Sequence, residues 1–153
     1  MFPQILTRCR TPGGSCFFAA TALACLLTSL PVPAQPPLPA VALHVGNQTV
    51  QAEYANTPDT LREGLMARTS MPENHGMLFE LGDPDIQCFW MKDTLIPLSI
   101  AFIDHEGTIV DIQDMAPQNL APHCPPVAIT QALEMNLGWF ERTGVKIGDR
   151  VHR

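Results

Sequence analysis

The chain has 153 residues, 46% of them hydrophobic, and carries nine Lys and Arg against fifteen Asp and Glu, a net charge of −6. That length supports one domain with a single modest core. The acidic balance repels phosphate backbones, so nucleic acid is not an expected partner.

Arg8 and Arg10 precede a mostly apolar run from Cys16 to Leu30, and Val32-Pro33-Ala34 offers the small residues of a cleavage site. This pattern predicts a secretory signal peptide over residues 1–34. A membrane-spanning helix is the alternative, but the run is shorter than the roughly 20 residues a bilayer core requires, and prolines follow it. Acylation of Cys25 is a second alternative, set against Leu26, Leu27 and Leu30, which continue the apolar run beyond it. The exported chain, periplasmic or extracellular, is expected to start near Gln35 and to have no stable membrane span. It keeps seven Lys and Arg against fifteen acids, a formal charge of −8.

Residues 35–40 read as a proline-rich linker too stiff to join a sheet. The domain is expected over 41–153. Val41 to Val45, Gly46-Asn47 and Gln48 to Tyr54 predict a hairpin with a two-residue turn. Thr57-Pro58-Asp59 supplies an N-cap, a first-turn proline and an acid at the positive end of a helix dipole, so a short helix should run to Leu65. Gly76 to Phe79 reads as a strand and Gly82 to Asp85 as a turn. Ile96 to Ile103 and Thr108 to Ile112 form a second hairpin around Asp104-His105-Glu106-Gly107. Ala116 to Pro126 holds four prolines and is a loop. Ile129 to Met135 reads as a strand, Trp139 to Thr143 as a helical turn, and Gly144 to Val151 as a final strand.

Seven short strands, one or two small helices and no long crossover helix predict a mainly β fold, bordering on α+β. The architecture expected is a small antiparallel barrel-like or sandwich domain. Cys88 and Cys124 are the two cysteines left after the leader, and an oxidising compartment favours a disulfide between them. A pair of metal ligands is the alternative, without zinc-type spacing to support it.

Candidate functional residues gather around CFWMKDTLIPLSIAFID, Cys88 to Asp104, where Lys92, Asp93 and Thr94 interrupt an apolar run. In an unbroken strand Cys88, Trp90, Lys92 and Thr94 share one face and Phe89, Met91 and Asp93 the other. A strand buried on both sides cannot leave a lysine unpaired, so either the chain bends, as Pro97 suggests, or Lys92 has a partner. Asp93, Asp104 and Glu134 are the candidate carboxylates. The functional alternative is a ligand pocket with Trp90 as its wall and Lys92 as its cationic tip, drawing on Arg68, Met91, Asp93, Thr94, Asp104 and Glu134.

GLMART (Gly64 to Thr69), GMLFEL (Gly76 to Leu81), FWMKDTLIPLSIAFID (Phe89 to Asp104), ALEMNLG (Ala132 to Gly138) and GVKIGDRV (Gly144 to Val151) resemble the ordered motifs of the domain of unknown function 192 (DUF192) family. The resemblance runs from about Leu43 to the end. It implies a small, mostly β, often exported domain whose biochemical function is not established. The chain departs from the family's usual asparagine at Asp93 and its usual aspartate at Ser99.

Three classes of function follow. The first is a non-catalytic binding module for a small molecule or a segment of a protein partner. The second is a small extracytoplasmic enzyme; no Ser, Cys or His stands in a nucleophile or metal motif, and no cofactor is implied. The third is copper handling, since thioethers suit Cu(I) and Met71, His75 and Met77 cluster, although methionines at strand and helix positions are mostly core filler.

Overall fold

The computed structural model describes residues 38–153; the leader expected over 1–34, with Cys9, Cys16 and Cys25, and residues 35–37 lie outside the described residues. The elements in chain order are β1 (Ala40–Val45), β2 (Gln48–Ala55), α1 (Pro58–Glu63), β3 (His75–Asp85), β4 (Leu98–Ile103), β5 (Ile109–Met115), β6 (Ile129–Asn136), α2 (Trp139–Thr143) and β7 (Val151–His152). The seven strands form one sheet in the order β5-β4-β6-β3-β2-β1-β7. The mainly β class is as the sequence predicts. One pairing is not antiparallel: β2 and β3 run parallel, which requires a crossover, and α1 with its following turns provides it.

The sheet curls until its two edge strands meet. Thr108 bridges Arg150, and Ile109 N–H donates to Asp149 O, Gly148 N–H to Ile109 O and Val151 N–H to Gly107 O, at 2.8–2.9 Å. The result is a half-barrel whose inner face draws apolar residues from every strand, among them Leu43, Val50, Leu78, Ile103, Ile109, Leu133 and Val151, with Trp139 and Phe140 of α2 packed against them. Alternation sends the intervening residues outward. On the outer face of β3, β4 and β6, Met77, Phe79, Leu98, Ile100, Phe102 and Ala132 form a second core beneath Leu65, Met91 and Ile96. A sheet covered on both sides explains why β4 is buried at every position.

Local chemistry accounts for the connections. Thr57 and Thr60 make a reciprocal capping box at α1, which ends at Glu63 instead of Leu65 because Gly64 turns the chain at φ +51°. A Cβ there would also press on the Phe79 ring, 3.3 Å away. Gly76 serves close approach instead, since a Cβ would run into the Glu134 carbonyl of β6.

Three expectations are corrected. Leu38 and Pro39 are tied to β2, Leu38 N–H donating to the Glu53 carboxylate (2.9 Å) and Pro39 O accepting from Tyr54 N–H (3.2 Å). A proline lacks a donor but keeps its carbonyl acceptor, so it joins a sheet edge. The turn expected at Gly82 to Asp85 is a register shift inside a longer β3. The final strand is short: Lys146 N–H bonds the Asp149 carboxylate and Gly148 sits at φ +95°, so residues 146–149 form a turn, and continuous strand begins only at β7, after the single bridge at Arg150.

Ser99 is 1% exposed. Its hydroxyl donates to Asp114 and accepts from Gly138 N–H at 2.8 Å, fixing the entry to α2. Ser99→Ala strands that N–H, while the exposed Asp114 carboxylate turns to water, so we expect it to cost about 1–3 kcal/mol. Urea denaturation checks this; an unchanged midpoint contradicts the role.

Candidate functional site

The chain leaves the sheet after Asp85 and returns to it at Leu98, and between those points most of its backbone partners come from the proline-rich loop. Phe89 and His123 exchange two backbone hydrogen bonds of 2.8 Å, Met91 N–H donates to Asn119 O (2.9 Å) and Gln118 N–H to Thr94 O (3.0 Å). A Cys88–Cys124 disulfide closes the same pair of segments. The interruption at Lys92, Asp93 and Thr94 is a turn: Thr94 N–H reaches back to Met91 O and Asp93 takes a left-handed conformation, φ +54°. Aspartate and asparagine are the non-glycine residues that tolerate this region best. Asp93 O then accepts from Ala67 N–H (2.9 Å), joining this turn to the one after α1.

Between the two turns lies a cavity of about 270 Å³. Leu61, Leu65 and Met66 come from α1 and its exit, Phe79 and Leu81 from β3, Phe89 and Trp90 from the disulfide-bonded segment. Phe79 and Phe89 meet edge to face at 5.2 Å. Trp90 is 53% exposed and forms an outer wall, with the Lys92 ammonium 5.7 Å from its ring centroid. Among the charged and polar lining groups are Arg62, bonded to Asp59 at 2.9 Å, Glu63, Gln87, Thr94 and Glu134.

Glu134 is the unusual member. It faces outward from the middle of β6, opposite Met77 of β3 and Ile100 of β4, and is 5% exposed. Its carboxyl group has no hydrogen-bond or ion-pair partner among the described residues. Burial in these surroundings pushes its pKa from the ordinary 4.5 up to about 8, so at neutral pH it is mostly protonated. Thr94, 5% exposed, donates to Lys92 O (3.3 Å), leaving its oxygen free to accept.

The structure thus brings together Trp90, Thr94 and Glu134, beside Cys88, and sets the other candidates apart. Lys92 is exposed and forms no ion pair among the described residues, so its expected pairing with Asp93, Asp104 or Glu134 is corrected: the turn carries the ammonium into solvent, where it needs no counter-charge. Asp104 caps its own hairpin, accepting from Glu106 and Thr108 N–H at 2.9 and 2.8 Å. Arg68 pairs with Glu53 at 2.7 Å, tying the α1 exit to β2. Met91 is a core residue under the turn. Met77 is likewise buried and Met71 packs on the same core, while His75 is exposed. Reading by sequence missed Phe79, Phe89, Leu61 and Met66 as lining. Their signal was the clustering of GLMART and GMLFEL around the central motif, which periodicity alone does not bring together in space.

Because Asp93 works through its backbone, Asp93→Gly is expected to change stability by less than about 1 kcal/mol, while Asp93→Val costs at least about 1 kcal/mol. Lys92→Met should fall within about 1 kcal/mol of the parent. Thermal melts of the three variants check the ranking; a large loss for Lys92→Met restores a structural pair.

A family model, DUF192 (Uncharacterized ACR), matches residues 41–153. The chain is similar to a solved structure named as a candidate transcription regulator from Sinorhizobium meliloti 1021, at 30% identity and a TM-score of 0.74, over 78% of this chain and 97% of that one. It is equally similar to a protein of unknown function from Novosphingobium aromaticivorans DSM 12444, at 30% identity and a TM-score of 0.74, over 92% of this chain and 100% of that one. No curated protein matches it.

Proposed function

Since the chain belongs to the DUF192 family, which carries no assigned chemistry, we propose from the site itself that it is an exported, non-catalytic binding module holding a small molecule between α1, β3 and the disulfide-bonded segment. The observation that carries this is Glu134: a nearly buried carboxyl with no partner among the described residues lines a cavity that aromatic and polar side chains share. Aromatic walls, a few converging polar groups and a cavity near the low end of ligand-site volumes support the same reading. Export is supported by the leader-like residues 1–34 and by the Cys88–Cys124 bridge, which an oxidising compartment maintains. The name of the Sinorhizobium neighbour does not carry over, because the −8 charge of residues 35–153 opposes binding to DNA.

Protein-observed NMR with a fragment set spanning neutral, anionic and cationic compounds tests the reading. Shift changes should centre on Trp90, Thr94 and the α1 exit and vanish in Glu134→Leu, which fills the cavity floor. No response of these residues to any fragment sinks the proposal. A second reading, in which Glu134 acts as a general acid, draws on its raised pKa. It requires turnover of a bound fragment, lost in Glu134→Gln while binding persists.

A further inference from the structure

The polar part of the cavity lining is rich in acceptors. Glu134 offers two carboxyl oxygens with no partner among the described residues, and the Thr94 oxygen keeps a free lone pair because its proton goes to Lys92 O. The charged donor on the lining, Arg62, is exposed and pairs with Asp59 at 2.9 Å across one turn of α1. The apolar walls include Leu61, Leu65, Phe79, Phe89 and Trp90, and aromatic faces attract cations. Residues 35–153 carry a formal charge of −8, which favours the approach of cations to the protein as a whole.

We propose that the cavity takes an organic amine in its ammonium form, its apolar body against Phe79, Phe89 and Trp90 and its N–H groups donating to the Glu134 carboxylate and the Thr94 hydroxyl. This rests on the reading of the cavity as a small-molecule site and names the ligand class. The proton balance is definite. In the empty protein below about pH 8 the Glu134 carboxyl holds a proton; an ammonium ligand displaces it to solvent and leaves a buried ion pair, with one proton released per amine bound. A neutral acceptor such as an alcohol binds the protonated carboxyl and releases none.

Titration of the full exported chain with 2-phenylethylamine and its matched alcohol 2-phenylethanol and acid 3-phenylpropionate, by calorimetry in two buffers of different ionisation enthalpy, decides the matter. The amine should bind with release of about one proton near pH 7, and its affinity should rise up to about tenfold per pH unit toward pH 8 and level off above it. Glu134→Gln should weaken the amine by at least about tenfold and spare the alcohol; the preference of the parent protein for the amine stands as a test if that variant fails to fold. Binding of the alcohol or the acid in preference to the amine, or amine binding that Glu134→Gln leaves unchanged, overturns the amine assignment and leaves the small-molecule site standing. Failure of all three probes to bind at millimolar concentration overturns the amine assignment, and the wider fragment set separately decides the site.

Discussion

Glu134→Gln is expected to remove a pH dependence of stability that the parent protein shows between about pH 5 and pH 8. The sign follows from the direction of the shift. In the folded protein burial raises the Glu134 pKa from 4.5 to about 8, so between those values the folded state holds a proton that the unfolded state has released. The unfolded chain then binds fewer protons, and stability falls as pH rises through the window. Below about 4.5 both states are protonated and the group costs nothing by ionisation; above about 8 both are ionised and the penalty is complete. The slope is at most about 1.4 kcal/mol per pH unit, and the whole effect is on the order of a few kcal/mol, since water entering the cavity moderates it. Other carboxylates contribute to the parent's profile, so the measured quantity is the difference between parent and variant urea midpoints at several pH values. Glu134→Leu goes further: it removes the unpaired polar group, and at pH 8 it should be more stable than the parent by a similar amount. Parallel profiles for parent and Glu134→Gln mean that the carboxyl is solvated and ionised, and the stability argument falls together with the proton release expected on amine binding.

How far the sequence announces this arrangement depends on the range of the interaction concerned. The β1–β2 hairpin was legible because its turn is local: Gly46 takes φ +57° and the two strands then pair in register from Ala40 opposite Glu53 to Val45 opposite Gln48. Thr57 at the α1 cap was legible for the same reason, a side chain bonding a backbone three residues away. The parallel pairing of β2 with β3 was not, because nothing in either strand records which partner a crossover delivers. The central motif shows the same limit. Alternation from Cys88 to Phe102 describes an unbroken strand, but the backbone of Phe89 to Thr94 finds its partners in residues 118–123, and the turn at Asp93 frees Lys92 from any need for a counter-charge. Glu134 was visible as a lone acid in the apolar run of ALEMNLG. What was hidden was its isolation, which depends on the segment that covers β6 and on where Lys92 points.

Removing the Cys88–Cys124 bridge should lower stability and open the cavity, and the two effects are separable. Both half-cystines are exposed, so a reductant reaches them without prior unfolding. The bridge spans a sequence separation of 36, for which the loss of loop-closure constraint on the unfolded chain amounts to about 4 kcal/mol on the chain-entropy model. Part of the local geometry survives, since Phe89 and His123 keep their backbone pair, and Phe89 remains packed against Phe79 and Phe102. The native wall is nonetheless less well held: Cys88, Phe89 and Trp90 line the cavity consecutively, and the bridge anchors that run at its first residue. The double variant Cys88→Ser, Cys124→Ser is therefore expected to melt at lower urea by several kcal/mol and, in the folded state, to bind 2-phenylethylamine more weakly. Alkylation of the parent protein without reductant should label neither cysteine. If both thiols label in folded parent protein, the bridge is absent. If they are protected but the variant's midpoint is unchanged, the loop's own backbone pairing, and not the disulfide, sets the position of the wall, and amine affinity should then be unchanged as well.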